Sequence, residues 1–519
     1  MTNRRIDSQL AQFPNSYWHP HHPPAFTQLK KNTTTEIAVI GGGIVGIVTA
    51  YLLAKAGKEV TLVEARDYFK GVTGHTTAKI TAQHALIYNE LLQTFGKEKA
   101  RLYYEANLEG LNFIRDTQQE LNIDCDFEDK DAIVFASSEK GLKQIEKEAR
   151  TYEKLGIIGT LILGQLSELP FDTTAALTMP DQAQFHPVKY LKGLLDEVER
   201  LGGHIYDRTR AVKLSKSDKT VTMDTGGILS CDKIIVASHY PFNDFDGLYF
   251  PKLSINRSYA IAGKIDKPIP DGMYISAESP IRSLRSIHVD NGEDLFLIGG
   301  DSHPTGKSDS PNQIHFENLL SFGKEWFKFK DVEYHWSAQD MTTLDKVPYI
   351  GQMTRTSKDV FVATGFNKWG MAIGAMAAKI LTDLINGKEN DYEDLFDPTR
   401  IKLKGKDIQR FSKKNISVGK DLLESKLQRP DKAPEDLAPD EGGLVSVDGK
   451  KLGGYRDKEG KLHLVKITCS HLGCGLNWNN GERSWDCPCH GSRFSYSGDV
   501  LNGPAVKPLE KVEEANDVN

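Results

Sequence analysis

The chain has no stretch of about 18 uninterrupted apolar residues, so nothing in it reads as a membrane-crossing helix. Cysteine is scarce, 6 in 519 residues, which is too few for a framework of disulfides to hold the fold. Positive charge is not in excess either. Lys and Arg number 65 against 71 Asp and Glu, a net −6, and this gives a nucleic acid no electrostatic encouragement as a partner. No apolar segment follows Met1-Thr2-Asn3-Arg4-Arg5, so no secretory signal is expected and the cytoplasm is the expected compartment. Low-complexity tracts are missing as well, the 45 glycines being scattered over turns. A chain this long exceeds one ordinary core and predicts two or three domains.

Four of the six cysteines crowd into two short motifs, Cys469-Ser470-His471-Leu472-Gly473-Cys474 and Cys487-Pro488-Cys489-His490-Gly491-Ser492. Each supplies a thiolate and an imidazole at tight spacing. A Cys₂His₂ set also binds zinc, but zinc knuckles open with C-x₂₋₄-C, and they have no use for two further cysteines in the ligand loops. The segment resembles a Rieske domain, in which two Cys hold one iron of a [2Fe–2S] cluster and two His the other. The resemblance implies that Cys469 and Cys487 hold the inner iron and His471 and His490 the outer one. It also implies a Cys474–Cys489 disulfide stapling the loops, and a Ser492 hydroxyl bonded to a cluster sulfide. High-potential Rieske proteins usually carry Tyr where this chain has Phe494, so a potential below the top of the Rieske range is expected.

The second signal is Glu36-Ile-Ala-Val-Ile-Gly41-Gly42-Gly43-Ile44-Val45-Gly46, a short apolar strand, a glycine turn and a helix start. Gly41 permits the turn, Gly43 lets backbone approach a pyrophosphate, and Gly46 lets helix and strand pack closely. A helix over 47–56 and a strand over 58–64 follow. That strand ends in Glu64, about 20 residues past the glycines, where an acid can accept ribose hydroxyls. The glycines, the shortness of the run and the nearby Lys55 and Lys58 argue against a membrane span.

Later segments separate FAD from NAD. Arg66 and Gly71-Val72-Thr73-Gly74-His75-Thr76-Thr77-Ala78-Lys79 follow Glu64. His186-Pro187 precedes an amphipathic helix, and a strand through Val212 and another at Cys231–Ala237 come after it. Asp345–Gly351 and Ala363-Thr364-Gly365-Phe366-Asn367-Lys368-Trp369-Gly370-Met371 lead into a last helix. Together these resemble the D-amino-acid oxidase and glycine oxidase superfamily of FAD-dependent oxidoreductases over residues 36–387. The resemblance implies FAD held by Gly41, Gly43, Gly46, Glu64, Arg66, Thr76, Thr77, Ala78, Val212, Gly365, Asn367, Gly370 and Met371. The stretch between Cys231 and Cys469 contains no cysteine, so the family's cysteinyl attachment is excluded there and the FAD is expected to be non-covalent.

The expected architecture is an α/β Rossmann-like FAD-binding domain, an antiparallel α+β substrate domain and a C-terminal all-β Rieske domain. Residues 1–35 form an extension and 36–387 the oxidoreductase. Its FAD-binding parts fall near 36–85, 186–245 and 340–387, and its roof near 125–185 and 250–340. Residues 388–434 are a linker, whose basic run Lys402–Lys414 reads first as a solvated face and second as a docking face for an acidic redox partner, and 435–519 are the Rieske domain. Cys125 and Cys231 read as packed thiols.

This resemblance implies a dehydrogenase that oxidises the C–N bond of a small amine or amino acid by hydride transfer to flavin. Electrons then pass singly through the cluster to an external one-electron carrier. In amino-acid-oxidising relatives an Arg and a Tyr hold the substrate carboxylate, and Arg285 with Tyr259 is the expected pair. Asp301, His303 and Lys368 are further candidates to line the ring. Two other readings stay open: an electron-transfer module without an organic substrate, and a redox sensor working through the cluster or the Cys474–Cys489 pair.

Overall fold

The computed structural model describes residues 10–19, 22–290, 292–307, 310–400 and 432–512. The β-branched apolar run Thr33–Ile40 lies in the middle of a sheet, paired in parallel with Val60–Val63 on one side and Ile228–Val236 on the other. Ile37, Ala38, Val39 and Ile40 are all buried, as a strand covered on both faces requires. Val360–Thr364 extends the parallel order, Tyr349–Gln352 closes it antiparallel, and His204–Tyr206 ends the other side. The first helix runs Ile44–Lys55, earlier than expected, because the extended Gly43 is already its N-cap. Helix Pro187–Arg200 starts where the His186 ring accepts from the Lys189 N–H (3.2 Å). Helices Lys97–Glu120 and Ala372–Ile385 cross closely at Gly110, where a Cβ would lie 2.0 Å from the Ala372 carbonyl.

Over this layer sits a second, nine-stranded sheet that includes Phe329–Thr343, Leu253–Ile265, Leu295–Pro304, Arg282–Ile287, Met273–Ser276, Glu128–Ala136 and Ala175–Gln184. It is antiparallel apart from one parallel pair, Met273–Ser276 on Glu128–Ala136. The N-terminal segment is built into the body. Asn15 bridges to His335, and the Trp18 indole is buried and donates to the Thr76 carbonyl (2.7 Å). Cys125 and Cys231 are buried thiols, each pushed up to about 12 by burial. The basic run Lys402–Lys414 lies outside the described residues.

The C-terminal domain is two small antiparallel sheets. Glu441–Val447, Lys450–Arg456, Leu462–Val465 and Lys511–Val512 form one, and Asn477–Asn479, Ser484–Asp486, Arg493–Ser495 and Val500–Asn502 the other. It is seated on the outer face of the roof by buried charge. Arg257 of the roof pairs with Glu482 at 2.6 Å, both nearly inaccessible, and Arg493 approaches the same carboxylate at 3.1 Å. Asn477 Nδ2 donates to the Gly306 carbonyl and Gln339 Nε2 to the Gly491 carbonyl. Gly306 must be glycine here: its φ is +72°, and a Cβ would lie 2.7 Å from the Pro488 nitrogen.

Burial alone would push the Glu482 carboxyl up, but Arg257, Arg493 and the Ser337 hydroxyl outweigh it and hold it at about 2. A depressed carboxyl stabilises the native state above its unfolded value of about 4.3 and loses that contribution as pH falls through the folded one. The domain seat is therefore expected to loosen between about pH 4.5 and 2. Replacing the carboxylate (Glu482→Ala) leaves the buried Arg257 guanidinium without a carboxylate and Arg493 with Asp486 alone, and should cost about 3–5 kcal/mol. Denaturant unfolding of wild type and variant across that pH range checks both, and a variant as stable as wild type at pH 7 would refute the assignment.

Candidate active site

A deep cavity runs between the two sheets, bordered by Gly41, Gly42, Gly43, Glu64, Arg66 and the loop 71–79. Its turn is tight. Gly41 has φ +119°, and a Cβ there would lie 2.5 Å from the Ala237 carbonyl, while one on Gly46 would lie 1.8 Å from the Gly41 carbonyl. Glu64 closes it by accepting from the Gly42 N–H (2.7 Å) and the Arg66 N–H (3.0 Å). The N-terminus of helix Ile44–Lys55 borders the cavity, with the Ile44 N–H donating to the Thr73 hydroxyl (3.2 Å). Arg66 is pulled down to about 10 by burial and stays a cation.

The other expected residues fall in two groups. Thr76, Thr77, Asn367, Gly370 and Met371 border the cavity with Gly41, Gly43, Glu64 and Arg66. Gly46, Ala78, Val212 and Gly365 do not. Gly46 and Gly365 shape turns instead, Gly365 at φ +82° against Thr343. Ala78 at φ +57° turns its carbonyl to Arg285, leaving Thr77 and Lys79 on the wall. Val212 sits in a bulge between Ala211 and Lys213, and Ala211 borders the cavity in its place.

The two members of the expected substrate pair are placed differently, Tyr259 at the cavity and Arg285 off it. Arg285 Nη1 donates to the Thr77 and Ala78 carbonyls (3.1 and 2.8 Å) and its Nε to Ser286, and it lies over the Trp18 ring. Its charge pins the loop at Thr77 and Ala78, and it is absent from the cavity wall. Tyr259 borders the cavity, but its hydroxyl is bonded to His303 Nε2 (2.9 Å) and its ring stacks on His315. Strand alternation is the reason. Ser258 and Ala260, paired with Ala338 and Trp336, are cavity residues. Arg257, Tyr259 and Ser337 point to the other face, toward Glu482 and the aromatic cluster beneath helix Ile314–Phe327. His303 and Asp301 lie off the cavity, whereas Lys368 is exposed to it.

Sequence reasoning missed Asp340 and His239. Asp340 is buried at the cavity, 3.4 Å from the Ser258 hydroxyl, and burial raises its carboxyl against the pull of Lys368 and Arg257. Lys368 is lowered by burial and held up by Asp340. His239, at φ +64°, turns Nε2 to the Gln339 carbonyl (2.8 Å), and burial lowers it to about 4, so it is neutral at pH 7. The period-2 position of Asp340 beside the wall residue Ala338 was the available signal.

In the C-terminal domain the two Cys/His loops fold alike. The Gly473 N–H returns to the Cys469 carbonyl and the Gly491 N–H to the Cys487 carbonyl, each at 3.0 Å, with both glycines at positive φ. Cys474 and Cys489 are joined as a disulfide. Cys469 and Cys487 share a hydrogen bond, which holds Cys469 low and Cys487 high, and the rings of His471 and His490 lie 5.2 Å apart, edge to face. The imidazoles point inward: His471 Nε2 is 3.3 Å from Asp244, and Phe250 meets the His490 ring edge-on. Ser492 reaches the Cys469 sulfur, and Phe494 is buried with no donor to offer.

Residues 36–384 match the family model for FAD dependent oxidoreductases, and residues 429–513 that for the Rieske [2Fe-2S] domain. The chain is 43% identical to the putative Rieske 2Fe-2S iron-sulfur protein YhfW of Bacillus subtilis (strain 168), over 96% of this chain and 98% of that one. It is 22% identical to gamma-glutamylputrescine oxidoreductase of Escherichia coli (strain K12), over 71% of this chain and 87% of the relative. Glycine oxidase from Geobacillus kaustophilus shares the fold with a TM-score of 0.60 at 18% identity, over 71% of this chain and 99% of that one. FAD and a [2Fe–2S] cluster are the cofactors these families imply, and the residues fit them. The glycine cradle has no room for side chains, the half-buried Arg66 and Arg210 border the same cavity, and two thiols and two imidazoles converge beside a disulfide.

A carboxylate on a ligand imidazole stabilises the oxidised, more positive cluster. Asp244→Asn should raise the cluster's reduction potential by tens of millivolts without loss of the cluster. An EPR-monitored redox titration checks this, and an unchanged or lowered potential would refute it.

Proposed function

The chain belongs to the FAD dependent oxidoreductases and carries a C-terminal Rieske domain, and on that premise we propose that it dehydrogenates the C–N bond of a small amine or amino acid and delivers the electrons one at a time to an external carrier. Bound FAD supplies the hydride acceptor, and the cluster supplies a one-electron step between it and the carrier. One C–H bond next to nitrogen breaks, its electron pair leaves as hydride, and a C=N bond forms. The two electrons then leave singly to two carrier molecules.

The wall residues suit such a substrate. Asp340 is the buried carboxylate on the roof, and we assign it the substrate ammonium. Its raised affinity for a proton lets it take one from nitrogen, leaving the neutral amine that hydride loss requires. Lys368, facing the same space, is assigned to a carboxylate when the substrate is an amino acid. Trp336 and Ala338 keep water from the space between.

The observation that carries the electron route is a single residue with contacts on both sides. The Gln339 carbonyl accepts from Nε2 of cavity residue His239, and its side chain donates to the Gly491 carbonyl, next to cluster residue His490. An external carrier would approach the loop 470–473, where Ser470 and Leu472 are exposed, since the 487–492 loop is covered by the roof.

The test is anaerobic titration of the holo-protein with a panel of amines and amino acids, following flavin bleaching and the Rieske EPR signal together. The expected result is that one compound bleaches the flavin and the cluster signal then grows, with Asp340→Asn raising the KM for that compound roughly tenfold or more. If no compound bleaches it while a reduced carrier or NAD(P)H fills both centres, the protein is an electron conduit and the reading is wrong.

A further inference from the structure

Six residues of the Rieske domain, 501–506, border the same cavity as Gly41, Glu64 and Arg66. They form a strap that leaves strand Val500–Asn502 and is held from both domains. Arg210, itself a cavity residue, donates from Nη2 to the Val500 carbonyl (3.0 Å). Tyr240 stands beside Gly503, where a Cβ would lie 3.8 Å from its own. From the cluster side, Arg493 Nη1 donates to Asn502 Oδ1 (3.2 Å), and the Ala505 N–H donates to Ser492 Oγ (3.0 Å). The Ser492 carbonyl in turn accepts from the N–H of cluster ligand Cys487 (2.8 Å). One segment thus has the dinucleotide cavity on one side and the cluster ligands on the other.

We propose that residues 501–506 are part of the FAD-binding cradle, so that the Rieske domain helps to hold FAD and the two cofactor sites are energetically coupled. Arg66 and Arg210 bring two half-buried guanidinium groups to the same cavity, a concentration of positive charge that the diphosphate of FAD meets. With FAD in place, Asn502 and the strap backbone would pack against it. Whatever orders the strap for one cofactor lowers the cost of ordering it for the other, and such linkage is reciprocal.

Hydrogen exchange on the wild-type protein tests this directly. Exchange is compared with and without FAD, the cluster being intact in both samples. The strap 501–506 should be protected by FAD together with 41–46 and 237–240, although it lies in the other domain. A second measurement uses Asn502→Trp, with the wild-type Rieske EPR signal as proof that the domain is folded. Its FAD dissociation constant should rise roughly tenfold or more, within the usual range of coupling between sites. Protection confined to residues 36–387, or a dissociation constant within about twofold of wild type in the folded variant, would overturn the proposal.

Discussion

Side chains leave a β-strand on alternate faces, and in Leu253–Ile265 and Phe329–Thr343 this alternation serves two redox sites at once. Ser258, Ala260, Trp336, Ala338 and Asp340 form the wall of the flavin cavity. Between them, Arg257, Ser337 and Gln339 face away and seat the Rieske domain. The thickness of one sheet therefore separates the two sites. A slip of one residue in the pairing of these strands would exchange the two sets and ruin both sites together, so register here is constrained from both sides.

The domain seat is electrostatic and dry. Arg257, Glu482, Arg493 and Asp486 are all buried, and each carboxylate has a guanidinium partner. Such a network gives less stability than apolar packing of equal volume, but it penalises any arrangement that leaves one charge unpaired. That is a physical basis for one fixed pose. It also turns the histidine edge of the cluster site toward Asp244 and Phe250 and leaves the 470–473 loop as the exposed approach.

Much of this was legible in the sequence. The glycine turn at 41–46, Glu64 at the end of its strand and the paired Cys/His loops are local patterns, in which spacing along the chain sets the geometry. Arg285 and Tyr259 suit a substrate by residue type, while their placement depends on strand parity and on distant carbonyls. Arg285 is committed to Thr77 and Ala78, some two hundred residues away, and no local pattern reveals that. Asp340 was hidden for the opposite reason, as an ordinary acid in an ordinary strand whose burial comes from the sheet packed beneath. The reach of 501–506 into the cavity follows from how two domains meet, which no motif within either one encodes.

The buried seat predicts that the flavin and cluster sites keep one fixed pose, with electrons crossing between them without movement of the Rieske domain. The most direct measurement is the rate of electron transfer from photoreduced flavin to the cluster as solvent viscosity is raised. A fixed pose predicts a first-order rate that depends neither on viscosity nor on protein concentration. A rate that falls in proportion to viscosity would show that the domain must swing to reach the flavin, and would contradict the account.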